Sequence, residues 1–198
     1  QPYPYRLPEL ALEFDLNAEQ TRVRSRIHVE LAADNLQPLV LDGEDLELES
    51  VHIDGQALDQ SQWQLSDTSL TLFPEKKSFV LEIVSTCRPA SNTALMGLYV
   101  SGESLFTQCE AEGFRRITWF PDRPDVMARY TVTLRAPQQP YPYLLSNGNL
   151  LRTRTLDDGR HEAVWEDPHP KPSYLFALVA GNFDLREQTI ETGNGHKA

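Results

Sequence analysis

The chain has 198 residues, 40% of them hydrophobic and 24% charged, as expected for one soluble domain with a sizeable core. No apolar run approaches the roughly 18 residues of a membrane span, so we expect no membrane partner. The net charge of −11 arises between positions 27 and 75, where eleven acidic residues stand without a lysine or arginine. Such a surface repels phosphate backbones, so we expect no nucleic-acid partner.

Alternating apolar residues dominate the first third of the chain. Every second residue is apolar in the segment 10–16, and apolar residues alternate with arginine, histidine and glutamate in the segment 21–31. This period is typical of strands with one buried face, so we expect two long strands joined by NAEQ (17–20). The apolar parity then switches between Leu48 and Val51, which predicts a bulge or a twist.

The two cysteines, Cys87 and Cys109, are too few for a disulfide framework, and their spacing matches no zinc motif. Two free thiols in a reducing cytoplasm are the simplest expectation. A single bridge between them is the alternative.

Strand patterns continue to the end of the chain. Turn signals separate them: DG at 42–43 and at 54–55, NG at 147–148 and DDG at 157–159. The segment 125–130 is a candidate for one helical turn, and no stretch shows a sustained helical period. We therefore predict an all-β fold of about a dozen strands. Strand candidates are SLTLF (69–73), SFVLEIVS (78–85), GLYVS (97–101), SLFTQCE (104–110), RITWF (116–120), YTVTLRA (130–136), YLLSNGNLL (143–151), EAVWED (162–167) and YLFALVAGNF (174–183).

Two short motifs resemble catalytic ones only superficially. HEAVW (161–165) lacks the second histidine of a zinc-peptidase helix, and its context alternates like a strand. On a strand, residues four apart lie roughly 13 Å apart, too far to share a zinc ion. In FPDRPDV (120–126) each of the two aspartates has proline or arginine neighbours. We interpret them as ion-paired turn residues and not as an acid–base pair.

Gln108 and Glu110 are the most informative polar pair. On a strand, residues two apart project from the same face, so both side chains would point one way and Cys109 the other. A carboxylate beside an amide makes a good receptor for an ammonium group, because the first supplies charge and the second orientation. The competing interpretation is two polar neighbours on a solvated strand face.

Two blocks of the sequence carry a family resemblance. SLFTQCEAEGFRRITWFPDRPDV (104–126) and EDPHPKPSYLFALVAGNFD (166–184) closely resemble the N-terminal domain of the zinc aminopeptidase N family, with the bacterial branch nearest. The resemblance implies a saddle-like, mostly antiparallel β domain with sandwich-like packing over residues 1–190. It implies that residues 191–198 are a linker or a truncated end that leads to a catalytic domain absent from this chain.

The resemblance also implies roles. The family's catalytic domain carries the zinc motifs, and none of them occurs here, so we expect zinc only in a full-length parent and no cofactor or activity in this segment alone. In the family's T-Q-C-E motif the glutamine lines the pocket for the first substrate side chain and the glutamate holds the substrate's α-amino group. These roles fall on Gln108 and Glu110. The implied partners are the amino terminus of a peptide substrate and the parent's own catalytic domain.

Ser173 departs from the cysteine usual in related bacterial sequences, a modest change in packing.

Two other functions stay open from the sequence. The first is a free-standing β-sandwich module that binds peptides or carbohydrate, with Trp63, Trp119 and Trp165 as platforms, although burial of these rings in the core is the simpler interpretation. The second is a purely structural or assembly domain. Only the aminopeptidase interpretation requires the pair of Gln108 and Glu110.

Overall fold

The computed structural model describes residues 1–186 and residue 188, so the segment 191–198 that we interpret as a linker lies outside the described residues. The described part is an all-β structure, as predicted, with short 3₁₀ turns at Gln60–Gln62, Pro89–Ser91, Phe114–Arg116 and Ser173–Leu175. The strands are β1 (Tyr5–Asp15), β2 (Thr21–Leu31), β3 (Leu39–Asp42), β4 (Glu47–Ile53), β5 (Gln56–Ala57), β6 (Trp63–Leu65), β7 (Ser69–Leu72), β8 (Ser78–Cys87), β9 (Gly97–Ser101), β10 (Ser104–Gln108), β11 (Met127–Pro137), β12 (Tyr143–Ser146), β13 (Asn149–Thr155), β14 (Arg160–Pro172) and β15 (Leu178–Gly181).

One eight-stranded sheet spans the molecule in the order β13-β14-β11-β1-β2-β8-β4-β5. β1 and β2 form the predicted antiparallel pair, and their alternating apolar residues are buried. β1 also pairs in parallel with β11, with Glu9 opposite Arg129. The other pairings are antiparallel, which confirms a mostly antiparallel sheet.

Two smaller sheets, β12-β15-β10-β9 and β3-β7-β6, share one hydrophobic core with the large sheet. Phe14 of β1 stacks on Phe176 at a centroid distance of 6.1 Å. The indole Nε1 of Trp165 on β14 donates to the carbonyl oxygen of Leu144 on β12 at 3.0 Å. The β12-β15-β10-β9 sheet therefore lies against one face of the large sheet, which is the sandwich-like packing expected.

The opposite face of the large sheet carries ion pairs that link neighbouring strands. Glu162 on β14 has a fully buried side chain that accepts hydrogen bonds from Arg135 Nε at 2.7 Å and Arg154 Nε at 2.8 Å. Burial would raise the pKa of Glu162, but the two guanidinium groups outweigh burial and lower it below its usual value. Paired charge thus allows a carboxylate to be buried on this face.

The acidic segment 27–75 is partly neutralised by bases from outside it. Glu47 and Glu49 pair with Arg88 and Arg22 at 3.3 and 2.8 Å, and Asp54 pairs with Lys76. The local excess of acids in the sequence is therefore not a uniformly acidic face in the structure.

Three predicted features of local structure are confirmed. β4 shifts register against β8 between Leu48 and Ser50, where the apolar parity switches. Gly55 and Gly159 have the positive φ values of 76° and 82° that their turns require. Cys87 and Cys109 are both buried and free, as expected.

Two local predictions in the segment 116–130 are wrong. RITWF (116–120) is not a strand: the chain makes a 3₁₀ turn and a single bridge between Phe120 and Asp42. Phe114, Ile117 and Phe120 are all buried, so this run is irregular backbone enclosed by the core. Met127 begins β11 in place of the suggested helical turn.

The NG turn at 147–148 does not close a hairpin, because β12 and β13 belong to different sheets. Instead, the chain crosses between the layers here. Gly148 has φ of 85°, and a Cβ atom at this position would lie 2.1 Å from the carbonyl oxygen of Glu166. Within the described residues no helix has the length and hydropathy needed to cross a bilayer.

Candidate functional site

β10 ends at Gln108, one residue before Cys109 and two before Glu110. The prediction that Gln108 and Glu110 share one strand face is therefore wrong for Glu110, which lies in the turn that follows. The burial pattern is as predicted, because Gln108 and Glu110 are exposed and Cys109 is buried. The structure still brings the pair together: Gln108 Nε2 donates to the backbone oxygen of Glu110 at 2.8 Å.

The turn after β10 is shaped by its own backbone. The amide of Gly113 donates to the carbonyl oxygen of Cys109 at 3.0 Å and closes the turn. The Glu110–Ala111 peptide is cis, and Glu112 has φ of 70°. A Cβ atom on Gly113 would lie 2.2 Å from the backbone oxygen of Gln108. The close approach of these two segments therefore requires glycine at 113.

Glu110 lines an open cavity of about 250 Å³. Three segments that are far apart in sequence form its wall: 110–112, 122–124 and 173–174. Gln108 lies beside this cavity but is not among its lining residues. Within the described residues the Glu110 carboxylate has no hydrogen-bond or ion-pair partner, whereas Glu112 lies 3.4 Å from Arg115 Nη2. Glu110 therefore supplies an unpaired negative charge at this cavity.

Asp122 is the buried acid at the same cavity, and its carboxylate is fully paired. Oδ2 accepts from the backbone N of Arg115 at 3.1 Å and from its Nε at 3.2 Å, while Oδ1 accepts from Ser173 Oγ at 2.5 Å. Burial alone would lower the pKa of Arg115, but the hydrogen bond to Asp122 and the charges of Asp42 and Asp122 raise it. The neighbouring Asp125 pairs with Arg123 at 2.8 Å. The prediction of ion-paired turn aspartates is confirmed.

Ser173 has a role that the sequence did not reveal. The residue is buried and donates its hydroxyl hydrogen to Asp122, whereas the sequence suggested only a change in packing. The one feature of the sequence that could have indicated this role is the position of Ser173, a hydroxyl residue between a proline-rich stretch and an apolar run. Its partner could not be read from the sequence, because 51 positions separate the two residues.

The other candidates are structural. His161 lies on β14, so HEAVW is extended as predicted, and its Nε2 lies 2.7 Å from the backbone oxygen of Tyr141. Trp119 is buried, and Trp63 and Trp165 are half-buried against the core. The three tryptophans are therefore core residues and not exposed platforms for sugar. Among the residues described, no three His, Cys, Asp or Glu side chains are grouped as a metal site would need.

Larger cavities exist elsewhere, and many of the charged side chains that line them are paired. One of about 410 Å³ includes Arg88 and Arg116, which pair with Glu47 and with Glu44 at 3.3 and 2.8 Å. Another, of about 510 Å³, lies on the outer face of the large sheet. Arg26, one of its lining residues, pairs with Glu82 at 3.3 Å. Exposed Glu166 at the second cavity also has no partner among the described residues, so lack of a partner does not by itself select Glu110. The cavity at Glu110 is the better candidate because it is formed where three segments far apart in sequence meet, one of which carries the residue predicted from the sequence.

Comparison with known proteins identifies the family to which this chain belongs. The family described as the peptidase M1 N-terminal domain matches residues 1–175. The chain is 47% identical to Aminopeptidase N of Caulobacter vibrioides over 197 residues, which are 100% of this chain and 23% of that protein. The chain thus spans less than a quarter of the length of this curated relative.

Solved structures of related peptidases contain a domain with the same fold. The crystal structure of Legionella pneumophila aminopeptidase A in complex with aspartic acid superimposes with a TM-score of 0.92 at 35% identity, covering 100% of this chain and 24% of that one. An M1 zinc metallopeptidase from Deinococcus radiodurans, bound to a Tyr-Ser-Ala substrate, superimposes with a TM-score of 0.82 at 16% identity, covering 96% of this chain and 46% of that one. The second likeness concerns the fold alone. With a family match over most of its length, this chain belongs to the family of peptidase M1 N-terminal domains.

Proposed function

We propose that this chain is the non-catalytic, substrate-anchoring domain of a zinc-dependent aminopeptidase, in which Glu110 binds the α-ammonium group of a peptide and Gln108 lines the pocket for its first side chain. The observation that carries the proposal is the unpaired, exposed carboxylate of Glu110 at an open cavity whose buried acid, Asp122, is fully paired. The names of the relatives support the class of substrate, because they are aminopeptidases.

Electrostatics explain why such an anchor would need a second domain. A carboxylate about 3 Å from an ammonium gains roughly 5 kcal/mol at an effective dielectric constant near 20. Glu110 is exposed in this chain, and an exposed ion pair in water contributes only about 0.2–1 kcal/mol. A catalytic domain that covers the cavity would remove water and raise the net gain to roughly 2–4 kcal/mol. The parent's own catalytic domain is therefore the proposed partner.

Gln108 has a complementary proposed role. Its amide nitrogen is occupied by the backbone oxygen of Glu110, which fixes the side chain beside the anchor. A pocket wall of this kind discriminates between first residues by about 1–3 kcal/mol. Holding the amino terminus and the first side chain together would present only the first peptide bond for hydrolysis.

Zinc would be bound outside this chain. The described residues do not fit a metal site, since they contain no suitable group of three ligands, so we assign no step of the reaction to a metal held here. Cytoplasmic localisation is part of the proposal, and the two free cysteines suit a reducing compartment.

The test uses a chimera in which this chain replaces the matching part of the Caulobacter aminopeptidase N. Glu110→Ala should lower kcat/KM for peptides with a free amino terminus by thirty- to several-hundred-fold, the equivalent of roughly 2–4 kcal/mol. Glu103→Ala is the matched control, because Glu103 is an exposed glutamate in the turn between β9 and β10 and does not line the cavity. Gln108→Ala should instead change the ranking of first residues across a peptide panel.

Thermal unfolding of each variant separates binding from folding. We expect Glu110→Ala to unfold at the temperature of the parent, since an unpaired exposed carboxylate contributes little to the core. If kcat/KM stays within twofold of the parent chimera, or if Glu110→Ala unfolds the domain, Glu110 is not the anchor.

A further inference from the structure

Asp122 connects the three segments that line the cavity at Glu110. It lies in the segment 122–124 and accepts hydrogen bonds from Ser173 of the segment 173–174. It also accepts from Arg115, which follows the turn that carries Glu110. The relative position of the three walls therefore depends on one carboxylate.

The contact with Ser173 is enclosed by protein. Ser173 is 1% exposed and Asp122 is 6% exposed, and Oγ lies 2.5 Å from Oδ1. Hydroxyl donors to ionised carboxylates form short bonds, about twice as strong as neutral ones. The same turn places Tyr174 on the cavity wall. This bond therefore ties that wall to Asp122.

The contact with Arg115 acts on the backbone of the Glu110 turn. The amide that donates to Asp122 Oδ2 belongs to the 3₁₀ turn Phe114–Arg116, directly after Gly113. Nη2 of Arg115 also donates to the backbone oxygen of Asp122 at 3.3 Å and lies 3.4 Å from Glu112. Both ends of the arginine thus hold the turn against the Asp122 segment.

Glu110 depends on this support because its own side chain has no partner among the described residues. Its place is set by the backbone of its turn, to which Gln108 adds one hydrogen bond. At an effective dielectric constant near 20, withdrawal of a carboxylate from about 3 to 4 Å from an ammonium weakens the attraction enough to lower binding about tenfold.

We propose that Asp122 and Ser173 are positioning residues that set the distance of Glu110 from the substrate's ammonium group. This inference rests on the function proposed above. It predicts that loss of the Ser173 hydroxyl acts on the reaction only through Glu110. The alternative is a purely structural hydrogen bond, whose loss would act on the protein whether Glu110 is present or not.

A double-mutant cycle in the same chimera distinguishes the two. Ser173→Ala should lower kcat/KM about tenfold in the parent and less than twofold when Glu110 is already alanine, since residues that act as a unit are not additive. The effect should be larger on KM than on kcat, because the anchor binds the ammonium group. Ser85→Ala is the matched control: its buried hydroxyl has no hydrogen-bond partner among the described residues, so kcat/KM should not change.

The results distinguish a failure of the proposed function from a failure of the positioning role. If Glu110→Ala alone has no effect, the proposed function fails. If Glu110→Ala has its expected effect but Ser173→Ala has none, or has the same effect in both backgrounds, the positioning role is wrong. Should Ser173→Ala be unfolded at the assay temperature, the cycle is run at a lower temperature at which thermal unfolding shows every variant to be folded. The same two-background comparison then decides.

Discussion

Replacing Asp122 with alanine should be one of the most destabilising single changes in the loop 120–126. The carboxylate accepts three hydrogen bonds, two from Arg115 and one from Ser173. Hydrogen bonds to a charged group contribute about 1.5–3 kcal/mol each, and buried donors left unpaired keep their desolvation cost. Arg115 retains Glu112 as a neighbour, so part of its loss is recovered. We expect the free energy of unfolding to fall by about 3–5 kcal/mol.

Urea denaturation followed by circular dichroism measures this change, with Asp125→Ala as the matched control. Asp125 lies in the same loop and also pairs with an arginine, Arg123, but its side chain is 44% exposed. Exposed ion pairs contribute about 0.2–1 kcal/mol, so the control should lose less than about 1 kcal/mol. A loss below about 1 kcal/mol for Asp122→Ala, or an equal loss for both variants, would refute the reasoning from burial.

Three further predictions concern stability and reactivity. The lowered pKa of Glu162 means that its stabilising contribution is complete above its unfolded pKa near 4.3 and is lost as the pH falls through the lower folded value. Glu162→Gln should therefore cost about 1–3 kcal/mol at pH 7 and little at pH 2 in urea titrations. Gly113→Ala should lower the melting temperature measured by calorimetry, because its Cβ atom would lie 2.2 Å from a backbone oxygen; an unchanged value would contradict the close approach. Burial raises the pKa of the Cys87 thiol to about 12 and also raises that of Cys109, to which the charge of Asp122 adds. Iodoacetamide should thus label both thiols slowly in the native chain and rapidly in urea, and fast native labelling would show that the thiols are accessible.

Only part of the candidate site could be predicted from the sequence. The types of Gln108 and Glu110 suggest an ammonium receptor, and the structure places both side chains at the surface with Cys109 buried between them. The sequence suggested a shared strand face, but β10 ends at Gln108. The reason is local: the close approach of Gly113 to the backbone of Gln108 turns the chain there, and alternation of apolar residues does not record such a contact.

The strand content and the buried face of each long strand were determined by the sequence, because a strand alternates its side chains and burial of one face imposes a period of two. This holds for β1, β2 and the bulge in β4. Only the tertiary structure decided which strands pair. The parallel register of β1 with β11 joins segments about 120 residues apart, and β12 leaves β13 to pair with β15. The bond between Ser173 and Asp122 spans 51 positions. Such contacts depend on how the layers pack around one core, and a local pattern of polar and apolar residues is compatible with several packings.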